Sequence, residues 1–403
     1  MKAKLLIIGL IICSSCKSQN EFQRLLFKGK QVFKNDSIKS NFDSTIFYLE
    51  KAIEINDDNQ EAHYFLGYSY DRKNSFDGKT MINTTYDLTQ KSSNEFEKVI
   101  AINPKYDGEM VLLDPYSKLN SIWGSLAMKY IYNNQIDSAI YFFNFGKSKG
   151  AFPEVLLELN RNVLNSCDLN SILITSGDNF TLPIWYLQTV EHYRNDIKVI
   201  DASLINTKWY VNYIYDKLKI PFSIPKTELD SIDYIKWDTK EIEIADNNNE
   251  TIFKWVVKPT YYDYYLLRGN RIMLEFLKAN KFKQSVYFTI GFYTPDYLNL
   301  DEYLHPKGLV DKLETSKFIK PYDDFYKNLI HYDYKAIKES KIQSQDIQNM
   351  VDYYRWCFVK AIYYLRIQKD YSEVKRLKDF MYKNIPSHNY PIRSKELENY
   401  INE

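Results

Sequence analysis

Two aspartates stand where this chain could do chemistry. Asp178 lies in the turn Gly177-Asp178-Asn179, just after the apolar run Ile172-Leu173-Ile174, and Asp201 follows a second apolar run, Ile197 to Ile200. If both runs are strands, the two carboxylates lie beyond the carboxyl ends of neighbouring strands, where open parallel sheets take their ligands. Paired carboxylates about 5–10 Å apart across one cleft can hydrolyse a glycosidic bond. Glu191 is a third carboxylate nearby, and Arg268 and Arg271 are cations that could pair with Asp178 or Asp201. Gly177, Asp178, Asn179, Asp201 and Arg268 are therefore the ligand-binding candidates, with Asp178 and Asp201 the only catalytic ones. A second reading stays open: Asp178 or Asn179 caps a helix beginning near Thr181-Leu182-Pro183, where proline suits a first turn. Glu191, His192 and Arg194 form a charged helix end, and His192 has no visible partner for acid–base work. No complete catalytic motif is present.

The elements that must position these residues follow from periodicity. Ser171 to Ile200 reads strand, Gly-Asp-Asn turn, helix, strand, with apolar helix positions at Leu182, Trp185, Tyr186, Val190 and Tyr193. That is a βαβ unit, whose crossover demands a parallel, covered sheet. A helix from Pro153 to Leu164 leads into it. After the prolines at 221 and 225, alternation around Asp246-Asn247-Asn248-Asn249 predicts a β-hairpin, with Trp237 and Trp255 bordering a cleft or merely packing. A helix over 268–279 and a strand from Val286 to Ile290 follow. Helices over 346–367 and from Tyr371 to Asn384 predict a C-terminal helical hairpin, with Pro386 at its stop.

The N-terminal part is helical and repetitive. Trp123, Leu126, Ala127, Tyr130, Ala139 and Phe143 fall at the spacing of the tetratricopeptide repeat, a helix pair that buries its faces only by stacking on neighbours. Leu66, Gly67 and Tyr70, then Phe96 to Pro104, form an earlier copy, interrupted by a polar insertion read as a loop from Asp71 to Gln90. Tyr48 to Ile55 supplies a further half. Such a stack either offers a concave surface to a protein partner or caps the neighbouring domain.

With 403 residues the chain can hold two or three domains. A net charge of +1 gives no electrostatic footprint for nucleic acid. The 36 tyrosines either form surfaces for sugars and proteins or reflect compositional habit. Cys167 and Cys357 sit among apolar residues and read as buried free thiols; no CxxC pair points to a metal, and no cofactor is implied. At the start of the chain, Lys2 and Lys4 precede an apolar run, Leu5 to Ile12, too short to span a bilayer, then Ser14, Ser15 and Cys16. This resembles a bacterial lipoprotein signal, with Cys13 in place of the usual leucine. It implies cleavage after residue 15, lipidation of Cys16 and membrane contact only through that anchor, at the periplasmic face of the outer membrane.

Two blocks carry a further resemblance. The first runs from Ile172 to Tyr210 and includes Gly177-Asp178-Asn179, Pro183 to Gln188, Val190-Glu191, Arg194, Asp196 and Leu204 to Tyr210. The second, Leu267 to Leu309, includes Met273 to Leu277, Ser285 to Thr289, Leu298-Asn299-Leu300 and Tyr303-Leu304. In this order they resemble the soluble C-terminal part of the protein O-mannosyltransferase-like membrane family. Two departures stand out: Phe180 where that family usually has an acidic residue, and Gln284-Ser285 where it has Arg-Pro. The resemblance implies that its glycosyl-transfer chemistry belongs to a multi-spanning part, which no apolar stretch of ~18 or more residues here could supply.

The expected architecture is therefore α+β and multidomain: signal peptide 1–15, tetratricopeptide-like helices 16–150, a Rossmann-like α/β domain 151–315 and C-terminal helical hairpins 316–403. The preferred function is a lipid-anchored envelope protein that binds a protein partner, without the membrane glycosyltransferase core. The rival is an enzyme, or a non-catalytic sugar binder, acting on a glycan or glycoprotein in the Asp178/Asp201 crevice.

Overall fold

The fold comes from a computed structural model that describes residues 18–35, 42–291, 297–319 and 325–402. The signal-like segment and Cys16 lie outside the described residues. The chain is a mixed α and β protein that divides into two compact units, Met1–Phe152 with Ile342–Asp346, and Pro153–Lys341 with Ile347–Glu403.

The first unit is helical. Its helices are α1 (18–35), α2 (Asp43–Ile55), α3 (Gln60–Ser75), α4 (Tyr86–Ile102), α5 (Pro115–Tyr132) and α6 (Ile136–Ser148), and from α2 onward each packs on the next. The starts are written in the sequence. Asn59, Thr85 and Asp114 each accept a hydrogen bond from a backbone amide of the first turn, and Pro115 occupies the first position of α5. The insertion is shorter than its polarity suggests, because Tyr86 to Gln90 already belong to α4. Trp123, Ala127, Ala139 and Phe143 are wholly buried. At Gly146 α6 lies close against α5: a Cβ there would lie 2.5 Å from Trp123 Cβ. Asp114 also binds residues 344–346, accepting from Ser344 Oγ at 2.5 Å and from the Asp346 amide at 3.1 Å.

The second unit is built on a five-stranded sheet. It opens with α7 (Glu154–Asn165), β1 (Ile172–Thr175), α8 (Asp178–Val190), β2 (Lys198–Asp201), α9 (Lys208–Asp216) and α10 (Lys226–Ser231). Two small antiparallel pairs follow: β3 (Ile235–Lys236) with β6 (Tyr265–Leu266), and the expected hairpin of β4 (Lys240–Ala245) and β5 (Thr251–Val257). The chain returns to the sheet through α11 (Arg268–Asn280), β7 (Val286–Thr289), β8 (Leu304–Pro306) and β9 (Val310–Leu313). Five helices close it: α12 (Phe325–His331), α13 (Lys335–Glu339), α14 (Gln345–Ile367), α15 (Tyr371–Asn384) and α16 (Lys395–Asn402).

Strand order is β2-β1-β7-β9-β8. β2, β1 and β7 run parallel, whereas β9 and β8 are antiparallel additions. The sheet is thus mixed, not wholly parallel. A turn at Gly308, φ +88°, folds β8 and β9 into a hairpin and needs no crossover helix. All four residues of β1 are buried, as a strand covered on both faces requires. Because β2 lies on one side of β1 and β7 on the other, the connection reverses direction between β1 and β7. That reversal is the position at which open α/β sheets form a crevice.

Candidate functional site

α8 starts three residues earlier than its proline suggests. Its N-cap is Gly177, at φ +86°, so Asp178 and Asn179 are inside the helix and not its caps. Pro183 sits in the interior and cannot donate to the Asn179 carbonyl four residues back. Asn160 of α7 supplies the missing donor, its Nδ2 lying 2.9 Å from that oxygen. Gly177 has no atom within 4 Å of where a Cβ would be, so its backbone angle, not space, calls for glycine.

Asp201 is taken up by the fold. Oδ1 accepts from the amides of Ser203 at 2.8 Å and Leu204 at 2.7 Å, and Oδ2 accepts from Thr181 Oγ1 at 2.5 Å. It is buried. Burial pushes its carboxyl up to about 6, and the neighbouring charge of Asp178 adds to this against the hydrogen bonds. Asp178 is half-buried in the first turn of α8.

Arg268 meets neither aspartate. Its Nη1 donates to the carbonyls of Leu229 and Ile232 at the end of α10. Glu191 binds Arg161, and Arg194 clamps Asp196 while donating to the carbonyls of Leu164, Cys167 and Asp168. His192 is exposed, at φ 52°. Trp255 is buried and donates to the Leu298 carbonyl, and Trp237 donates to that of Val257, so both indoles are tied to backbone. Cys167 and Cys357 are buried free thiols. Among the described residues no His, Cys, Asp and Glu cluster could hold a metal.

A cavity of this unit lies elsewhere, next to the carboxyl end of β7. Its volume is about 740 Å³, and its walls include Gly291, Tyr297, Asp311, Tyr353, Trp356, Lys360, Tyr363, Tyr364, Glu396 and Tyr400. α14 supplies most of the wall: Tyr353, Trp356, Lys360 and Tyr363 recur every three or four residues and so share one face. Tyr353 reaches over the reversal point. Its ring stacks on Phe180 of α8 at 5.9 Å, and its hydroxyl fills the space a Cβ on Gly291 would need. The floor is Asp311 of β9, only 9% exposed. Its Oδ1 has no hydrogen-bond partner among the described residues, and Lys360 Nζ stands 3.9 Å away. Burial raises its carboxyl above the ordinary range. The sequence carried one sign of this wall, the aromatic period in α14; Asp311 left none, because nothing local marks a strand aspartate as inward-facing.

Residues 157–254 match the family model described as TMEM260-associated domain 2. That is about a quarter of the chain, running from α7 into β5. The match contains the first of the two blocks that resemble O-mannosyltransferase-like proteins and stops short of the second. No curated protein matches the chain.

Proposed function

We propose that this chain is a non-catalytic accessory protein of the cell envelope, anchored by a lipid on Cys16. In this reading the first unit is a tetratricopeptide-like stack that holds a protein partner. The second is a Rossmann-like module related to the soluble part of O-mannosyltransferase-like proteins, and the partner is a component of protein O-glycosylation or secretion. The observation that carries the reading is the match at residues 157–254, within which Asp201 spends both carboxylate oxygens on the protein's own donors. A buried carboxylate that already accepts three hydrogen bonds from the protein is poorly placed to exchange a proton with a substrate, which weighs against an Asp178/Asp201 acid–base pair. The stacked helices and their close approach at Gly146 support the repeat reading.

In-cell crosslinking followed by mass spectrometry, comparing wild type with Cys16→Ser, tests it. The expected result is one envelope protein of the glycosylation or secretion machinery, recovered from wild type and depleted in the variant. Glycosidase or glycosyltransferase activity in the purified chain that disappears in Asp178→Ala would overturn the reading.

A further inference from the structure

The cavity beside β7 is not needed by the partner-binding reading, and its chemistry is its own. We propose that it is a binding site for a neutral saccharide, held by Asp311 and Lys360 and stacked on the aromatic face of α14. Three features point that way. First, Asp311 is buried with one oxygen unbonded by any described residue. A carboxylate oxygen removed from water without a donor is costly, so an incoming hydroxyl recovers much of that cost. Second, Lys360 Nζ lies 3.9 Å from that oxygen, beyond hydrogen-bond length yet close enough to share a ligand. Two adjacent hydroxyls of a pyranose fit this pair: one donates to the Asp311 carboxylate, and the oxygen of the other accepts from Lys360 Nζ. Third, Trp356, Tyr363 and Tyr400 surround the space, with the Trp356 and Tyr400 rings 6.1 Å apart and steeply inclined. Aromatic faces with polar edges suit the mixed C–H and O–H surface of a sugar. About 740 Å³ is room for a mono- or disaccharide.

Two other ligand classes fit less well. A quaternary ammonium would suit the aromatic walls and the carboxylates, but its cationic head has no N–H or O–H to donate to Asp311 and no oxygen to accept from Lys360. A phosphate would meet Asp311 at the floor and Glu396 at the wall.

The test is titration calorimetry, with tryptophan fluorescence, of the full chain against methyl glycosides and disaccharides of glucose, galactose and mannose, with choline and inorganic phosphate as competing classes. We expect at least one saccharide to bind with Kd of roughly 0.1–10 mM, weakened about tenfold or more by Asp311→Asn and severalfold by Tyr363→Ala. Asn keeps the shape of Asp, and circular dichroism checks the fold. Should Asp311→Asn not fold, Lys360→Met and Tyr363→Ala, both at exposed positions, decide the matter through the same loss of affinity. Saccharide binding unchanged in these variants would overturn the site. Binding of choline or phosphate but no saccharide would overturn the ligand class. No saturable binding of any saccharide up to ~100 mM would overturn the proposal, while the crosslinking result would stand or fall separately.

Discussion

Asp201 is a structural acid whose cost depends on pH. Its carboxyl titrates near 6 in the folded chain, against an ordinary value of 3.8. A raised value means that the folded state holds the proton more tightly than the unfolded state. Its contribution is therefore fully present below about pH 3.8 and is lost as pH rises to about 6. A rise of that size in a fully buried carboxyl corresponds to roughly 2–3 kcal/mol. Denaturant unfolding between pH 4 and 6.5 should show stability falling with pH by that order, and Asp201→Asn should flatten the slope. Asn suits the site, because its oxygen can accept from Ser203 and Leu204 and its amide can donate to Thr181. Asp201→Ala removes the acceptor of three donors and should cost about 2–4 kcal/mol near pH 4, and less as pH rises. Glu158 adds to the same trend: burial lifts it to about 7 while it accepts from the amides of Ala336 and Ile337. Asp196, held down to about 2 by Arg194, acts oppositely and only in more acid solution.

The elements were legible where each is decided locally. The β1-α8-β2 crossover, the β4–β5 hairpin, α11, α14 and α15 all follow from apolar period and turn residues. What does not show in the sequence is what depends on contact. The start of α8 is displaced in a sequence reading because Pro183 normally marks a first turn, and only a distant residue, Asn160, makes its interior position tolerable. Asn160→Leu should take that donor away from the buried Asn179 carbonyl, lowering stability by about 1–3 kcal/mol in urea unfolding. The antiparallel β8–β9 extension escapes such a reading because Leu304-His305-Pro306 and Val310-Asp311-Lys312-Leu313 break the continuous apolar run that marks β1 and β7. Glycines sort the same way. Gly146 stands in a helix where alanine has the better propensity, yet Gly146→Ala should destabilise by about 1–3 kcal/mol, since Trp123 already fills the space. Of the candidate site, the aromatic period of α14 was readable, whereas Asp311 became visible only when the strand order placed it under that helix.

At the scale of the molecule, acidic and basic side chains nearly cancel and the net charge is +1. Long-range attraction to polyanions is therefore weak, and gel-shift or heparin binding at ~150 mM salt should be absent. Among the described residues no helix is long and apolar enough to cross a membrane. Selectivity must then come from short-range fit, and α14 governs part of it. Tyr353 lies between Phe180, after β1, and Gly291, after β7, which is where an open sheet ordinarily receives a ligand. A side chain there is in effect a tethered inhibitor. Being part of the same chain, it acts at an effective concentration no dilution can lower, so a free molecule would have to displace it before stacking on Phe180. The Phe180 face is thereby taken by the protein itself, while Trp356 and Tyr363 keep their place on the wall of the neighbouring cavity.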